Sequence, residues 1–256
     1  MEYIGDEDET ETLEEVEVAD DDEDEFETKF TQIVEAYIGD YQKLAIMVLK
    51  EQKENEDGQI PVSGYYFYAA HQKNLDLEGT LDPTTGKYAL TESYNGKTSG
   101  YMEFIPGNEK QSFWSAKKGG EQQEMSTKLL TGGDPEEMTL VINHATYGYE
   151  HELVYYNASE DEQGTTTDEL NVTFINDEFM AFTIDVIRTN GHLGNVSGVA
   201  KINGDKAKFY VPETDETMLC DLDFDLSVDG EITVNENDCT SWHGAYASFD
   251  GTYVKN

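Results

Sequence analysis

Arginine is all but missing from this 256-residue chain. Arg188 is the sole example, and Lys and Arg together number 16 against 55 Asp and Glu, a formal net charge of −39. Nucleic-acid binding relies on a basic stripe that releases counterions from phosphates, so that class is excluded. An anionic membrane surface would repel the chain for the same reason. No stretch approaches the ~18 consecutive apolar residues of a membrane helix. A secretory leader is also missing, because residues 2–27 are acidic where such a leader is basic. Catalytic signatures are lacking too: there is no Gly-x-Ser-x-Gly elbow and no glycine-rich phosphate cradle after a strand. The five histidines, His71, His144, His151, His192 and His243, form no pair at metal-ligand spacing. Neither a cofactor nor a metal is expected, and the chain does not read as an enzyme.

What is present begins with two cysteines, Cys220 and Cys239. They flank an expected hairpin whose strands are Met218–Val228 and Glu231–Glu236, turning at Asp229-Gly230. That geometry brings them opposite one another, within reach of a disulfide. Closing a loop of this size stabilises a fold by about 3 kcal/mol in the chain-entropy treatment. Two buried thiols, or half of a zinc site, are the rival readings. Zinc needs about four ligands, and His243 is the single near neighbour. A disulfide implies an oxidising compartment, so the expected location is extracytoplasmic: periplasmic, cell-surface or secreted. Met1 then reads as the start of a mature chain whose leader has been removed, with a lipid tether upstream.

Charge is unevenly spread. Residues 1–27 hold 16 acidic residues and no Lys or Arg, leaving 39 acids and 16 bases for the rest. So dense a charge with few apolar residues cannot offset the entropy of ordering, and a disordered acidic leader is expected there. The charge on the remainder serves solubility first. As a recognition surface it suits a cationic partner, divalent ions or neutral sugars.

Phe26, Phe30, Ile33, Val34 and Tyr37 fall at helical spacing and predict one short helix. From Leu44 onward the chain reads as strand after strand. Leu44–Leu49 is a short apolar run, Tyr65-Tyr66-Phe67-Tyr68 an aromatic strand, and Leu75–Leu81 alternates with period two. Asn95-Gly96, Asn203-Gly204 and Asp229-Gly230 are strong hairpin signals. About fifteen segments at this spacing predict an all-β protein: an antiparallel meander in one or two barrel- or sandwich-like units. Thr131-Gly132-Gly133-Asp134-Pro135 marks a boundary, dividing an N-terminal β-domain, 36–130, from a C-terminal one, 137–256. Asn157–Asp168 reads as a long loop within the second.

Trp114, Trp242, His243 and Tyr246 are the candidate ligand-binding residues, the tryptophans with Tyr65–Tyr68 as a sugar-stacking platform; core packing competes with that role. Asp221-x-Asp223-x-Asp225 looks like the start of a calcium loop. Yet Leu222, Phe224 and Leu226 mark a strand, and the loop glycine and glutamate of an EF-hand are missing. Asn157, Asn171 and Asn195 head Asn-x-Ser/Thr sequons.

The series Gly64-Tyr65-Tyr66-Phe67-Tyr68, Leu75-Asp76-Leu77-Glu78-Gly79, Leu90-Thr91-Glu92, Thr98-Ser99-Gly100 and Trp114 resembles a theme of uncharacterised bacterial secreted and lipoprotein β-domains. The ending Cys220…Cys239…His243-Gly244…Phe249-x-Gly251-x-Tyr253 is similar to the terminal disulfide block of the same group. Some of these proteins accompany lysozyme-inhibitor domains. The resemblance implies fold and compartment; with the negative net charge, the expected function is a non-enzymatic, envelope-associated binding module engaging a cationic protein such as lysozyme. A glycan-binding module using exposed Trp and Tyr is the alternative.

Overall fold

A computed structural model describes residues 28–39, 43–71, 73–138, 140–156, 164–214 and 218–256. The expected acidic leader lies outside the described residues. The fold is all-β, built as two closed antiparallel barrels of eight strands, each a simple meander. The first comprises β1 (Phe30–Ile38), β2 (Lys43–Glu51), β3 (Ile60–Tyr68), β4 (Asn74–Asp82), β5 (Lys87–Tyr94), β6 (Lys97–Ile105), β7 (Asn108–Ser115) and β8 (Gln123–Gly133). The second comprises β9 (Asn143–Leu153), β10 (Gly164–Phe174), β11 (Phe179–Arg188), β12 (His192–Asn203), β13 (Lys206–Val211), β14 (Cys220–Asp225), β15 (Glu231–Asp238) and β16 (Gly251–Lys255). Among the described residues, no helix is long and apolar enough to cross a membrane.

The helix predicted over Phe26–Tyr37 is not formed by the described part of that segment. Residues 30–38 are instead the first strand, paired along their length with β2 and across the closure with β8. Its apolar spacing mimicked a helix because both faces are covered. Val34 and Ala36 fill the barrel, while Ile33 and Tyr37 face the second barrel. The loop expected to run through Asp168 ends earlier, since Gly164 onward pairs with β9 residue by residue. Threonines 165–167 favour a strand, and their polarity suits an outer edge. Residues 157–163 of that segment lie outside the described residues. Conversely, β14 stops at Asp225, short of Val228, where the Leu226 N–H leaves the ladder to bond Asp205 O at 2.8 Å.

Barrel interiors follow the period-two alternation. Leu77, Leu81, Tyr88, Leu90, Met102 and Phe104 fill the first; Leu170, Val172, Phe182, Ile184, Leu222 and Phe224 fill the second. Eight strands leave an interior just wide enough for side chains. Close coiling also needs glycine on the inner face: a Cβ on Gly64 would collide with the Val48 carbonyl oxygen across the β2–β3 ladder. The Asn95-Gly96 turn has positive φ at both residues (52° and 72°), as the two-residue hairpin demands.

A third apolar cluster joins the barrels. Leu44 and Ile46 point outward from β2 and, with Ile33, Phe67 and Ala69, pack with Ile175 and Ala181 of the second barrel. This is why Leu44–Leu49 is uninterruptedly apolar: alternate residues serve two cores. Leu130 of β8 and Met138, Leu140 and Ile142 of the connecting segment join the cluster. Ile142 holds a positive φ of 37°, a conformation costly for a β-branched residue and retained where packing over-determines it.

The Phe67 ring meets His144 edge-on at 4.9 Å across this seam. His144 Nδ1 lies 2.7 Å from Thr173 Oγ1, and its Nε2 is buried without a hydrogen-bond partner among the described residues. Burial pushes the imidazole pKa below its ordinary 6.5. Its contribution to stability is therefore present above pH 6.5 and lost as pH falls from there through the folded pKa.

Truncating Phe67 to Ala should destabilise the protein by about 3–5 kcal/mol, as for other fully buried aromatic rings. Urea denaturation monitored by tryptophan fluorescence measures this. In an NMR titration, the His144 imidazole should protonate below pH 6.5, and inter-barrel contacts should weaken over the same range.

Candidate functional site

Four carboxylates lie on inner faces, each continuing an apolar alternation to its end. Glu51 follows Ala45, Met47 and Leu49; Glu92 follows Tyr88 and Leu90; Asp168 precedes Leu170 and Val172; Glu236 follows Ile232 and Val234. Each is held by donors rather than left bare, as burial of charge requires. In the first barrel, Glu51 Oε1 accepts from the Tyr88 hydroxyl and from Gln32 Nε2, both at 2.6 Å. Burial raises the Glu51 pKa above its ordinary value despite these bonds. Glu92 accepts from the Tyr66 hydroxyl, from Ser99 Oγ, and from the Trp114 indole N–H at 2.9 Å. Trp114 therefore serves a buried carboxylate in barrel one.

The second barrel carries its polar groups at one end. Asp168 pairs with Arg188, the lone arginine, whose Nη2 also donates to the Asp250 carbonyl at 2.9 Å. Its guanidinium sits 5.3 Å from the Tyr149 ring centroid. His151 lies 2.7 Å from Arg188 through Nε2, and its Nδ1 is 3.0 Å from the Glu152 carbonyl. His151 Nε2 also lies 3.2 Å from Asp168 Oδ2. Both ring nitrogens are thus engaged, and neither is free to act as a base.

At the same end, residues 239–250 fold across the barrel mouth. The Cys220–Cys239 disulfide, with Cα atoms 4.1 Å apart, anchors the start of this hook. The sulfurs bond each other, so the thiol and zinc readings fall away. His243 forms an isolated bridge to Gly194, where a Cβ would overlap His243 and Phe249. His243 Nε2 lies 2.8 Å from Glu236 Oε1, and Nδ1 lies 2.9 Å from the Gly244 carbonyl. Glu236 Oε2 in turn accepts the Phe249 N–H at 2.9 Å. Burial alone would depress the His243 pKa. The carboxylate of Glu236, the Gly244 carbonyl and nearby Asp250 together outweigh it and raise the pKa above 6.5. With acceptors at both nitrogens, His243 is suited to the imidazolium form.

Outside this plug lies an exposed aromatic surface. Tyr156 is 67% and Tyr246 60% exposed, their rings edge-on at 6.4 Å. Tyr246 also meets the His192 ring at 5.0 Å, beside Leu193, which is 63% exposed. Trp242 packs at the rim of the core and donates its indole N–H to Met218 O at 3.3 Å. Of the four residues singled out from sequence, Trp242, His243 and Tyr246 thus share one end of barrel two, while Trp114 sits in the other barrel. A stacking platform uniting both tryptophans does not form. Of Tyr65–Tyr68, Tyr66 lies in the barrel-one core and Phe67 and Tyr65 in the inter-barrel cluster, while Tyr68 is half-buried at the barrel-one mouth. Tyr156 and His192 were missed, because nothing in their local sequence marks them as neighbours of Tyr246.

The Asp221-x-Asp223-x-Asp225 stripe is a cross-strand ion ladder. Lys206 pairs with Asp225, and Lys208 with Asp221 and Asp223. Asn237 Nδ2 bonds Asp221 at 3.0 Å and Asp223 at 2.7 Å. These donors hold Asp223 and Asp225 below the usual carboxylate range, led by Asn237 for the first and Lys206 for the second. Among the described residues, no group of three or more His, Cys, Asp or Glu is arranged to hold a metal ion. Of the sequons, Asn171 is buried and bonded to Thr146 and Glu169.

No family model, curated protein or solved structure matches the chain.

The raised pKa of His243 makes its stabilisation complete below pH 6.5 and lost as pH rises from there through the folded value. Thermal melts should therefore show a decline on that side of the pH profile, flattened in His243→Gln. Reducing the disulfide should cost about 3 kcal/mol, read as a lowered urea midpoint with and without reductant.

Proposed function

We propose that the chain is a non-enzymatic binding protein of an extracytoplasmic compartment, which captures a cationic protein through the aromatic end of barrel two. The observation carrying this reading is the exposed group of Tyr156, His192, Leu193 and Tyr246 on a rigidly plugged barrel end. Tyrosine is favoured at protein interfaces because one end of the ring is apolar and the other accepts water or a polar partner. The patch is small, and the body behind it is strongly acidic. Long-range attraction then favours a basic partner and accelerates its encounter.

The disulfide supports an oxidising location: periplasm, cell surface or external medium. Attachment as a lipoprotein upstream of residue 1 accords with an acidic spacer. Lysozyme is the partner class that tests the idea most directly, being compact and strongly basic. A non-catalytic role is part of the proposal, since Glu51, Glu92 and the Glu236–His243 pair are engaged in internal hydrogen bonds.

Titration calorimetry against lysozyme should detect binding at about 20 mM salt that weakens sharply at about 500 mM, as screening predicts. Tyr246→Ala should lower the affinity by about tenfold or more, the effect of losing an aromatic anchor. Absence of any heat change at low ionic strength would remove the proposal.

A further inference from the structure

A pair of clefts lies where the mouth of barrel one meets the outer wall of barrel two. Two adjoining clefts of about 400 Å³ and 440 Å³ share Tyr68, Ala70 and His71. Each is within the size of ordinary small-molecule sites, roughly 300–1,000 Å³.

The walls differ in chemistry. From barrel two, β11 and β12 present two directly opposed pairs, Thr183 with Ser197 and Asp185 with Asn195. All four point outward, because the alternate residues Phe182, Ile184 and Val196 fill the core. Asp185 and Asn195 are exposed, and Asn195 Nδ2 donates to Asp185 Oδ1 at 2.6 Å. The pair leaves one carboxylate oxygen and an amide carbonyl available in a fixed array. From barrel one come aromatic rings: Tyr68, edge-on to His71 at 6.2 Å, and beyond them Tyr94, 45% exposed, with Leu75. Lys43 and Lys73 stand at the edges.

We infer that this cleft binds a short neutral saccharide. A pyranose presents a face of C–H groups and a rim of hydroxyls, each both donor and acceptor. The aromatic wall suits the face, and the Asp185–Asn195 pair with Ser197 suits the rim by offering acceptors and a hydroxyl, Thr183 beside them being buried. An apolar ligand would leave those polar groups unpaired, which costs more than its contacts return. An anion would find Lys43 and Lys73 at the edges but would face the Asp185 carboxylate on the polar wall. The sugar would bridge the barrels, lying beside the seam formed by Ile46 and Phe67. The cleft adjoins the aromatic patch along β12, where Leu193 precedes Asn195, but shares no residue with it.

The test is NMR titration of the intact chain with chitotriose, cellotriose and trigalacturonate. Saturable shifts with either neutral trisaccharide, confined to β3–β4 and β11–β12, are expected. Asp185→Ala and Asn195→Ala, both at exposed positions that leave the cores intact, should each weaken that binding by about tenfold or more. Tyr246→Ala should leave it unchanged. Three outcomes would overturn the inference: no shifts at millimolar sugar, binding of trigalacturonate alone, or neutral-sugar binding that survives Asp185→Ala. Because lysozyme capture uses other residues, loss of either activity leaves the other measurable.

Discussion

Barrel one and barrel two each close on themselves, so nothing in their hydrogen-bond ladders requires them to touch. What unites them is the apolar seam in which Ile33, Leu44, Ile46 and Phe67 meet Ile175 and Ala181. Burial of this kind is the largest favourable term in folding. Here it is concentrated on strands that already serve an interior on their other face. The seam holds the connecting segment with Ile142 in its left-handed conformation. It also sets Tyr68 and His71 beside the outer face of β11 and β12, creating the inter-barrel cleft. Without it, the polar array of Asp185 and Asn195 would be ordinary solvated surface.

Inside the barrels, carboxylates mark strand ends. Glu51, Glu92, Asp168 and Glu236 are each bound by tyrosine, tryptophan, arginine, histidine or main-chain donors. Such networks add directionality that apolar packing lacks. In the second barrel they also fasten the C-terminal hook. Glu236 engages both His243 and the Phe249 amide, and Arg188 reaches the Asp250 carbonyl. The aromatic patch therefore stands on a floor fastened by these bonds. His144 in the seam and His243 in the plug respond to pH in opposite directions. One is buried without a partner at Nε2; the other is buried against a carboxylate.

Much of the architecture was legible in the residue pattern. Alternation identified β-strands, and Asn95-Gly96 announced a tight hairpin that the positive φ values bear out. The cysteine spacing around Asp229-Gly230 pointed to the disulfide that forms. The failures have a common origin. Phe26–Tyr37 imitated a helix because β1 is buried on two sides, so its apolar residues break period two. Trp114 does pack against the core, the role that competed with stacking, but nothing local showed that Glu92, 22 residues away, claims its indole N–H.

The sequence by itself determined that the fold is all-β, where several tight hairpins turn, that the cysteines lie within bonding reach, and that the chain carries a strong negative field. Those are local or additive properties: side-chain alternation, turn chemistry, loop length and charge count. Tertiary structure alone decided which acids would be buried, which aromatics would be exposed together, and that a cleft would open between two barrels. Each depends on residues far apart in the chain, such as Tyr156 with Tyr246 or Tyr68 with Asn195. Their meeting follows from barrel closure and from the apolar seam, not from any spacing along the sequence.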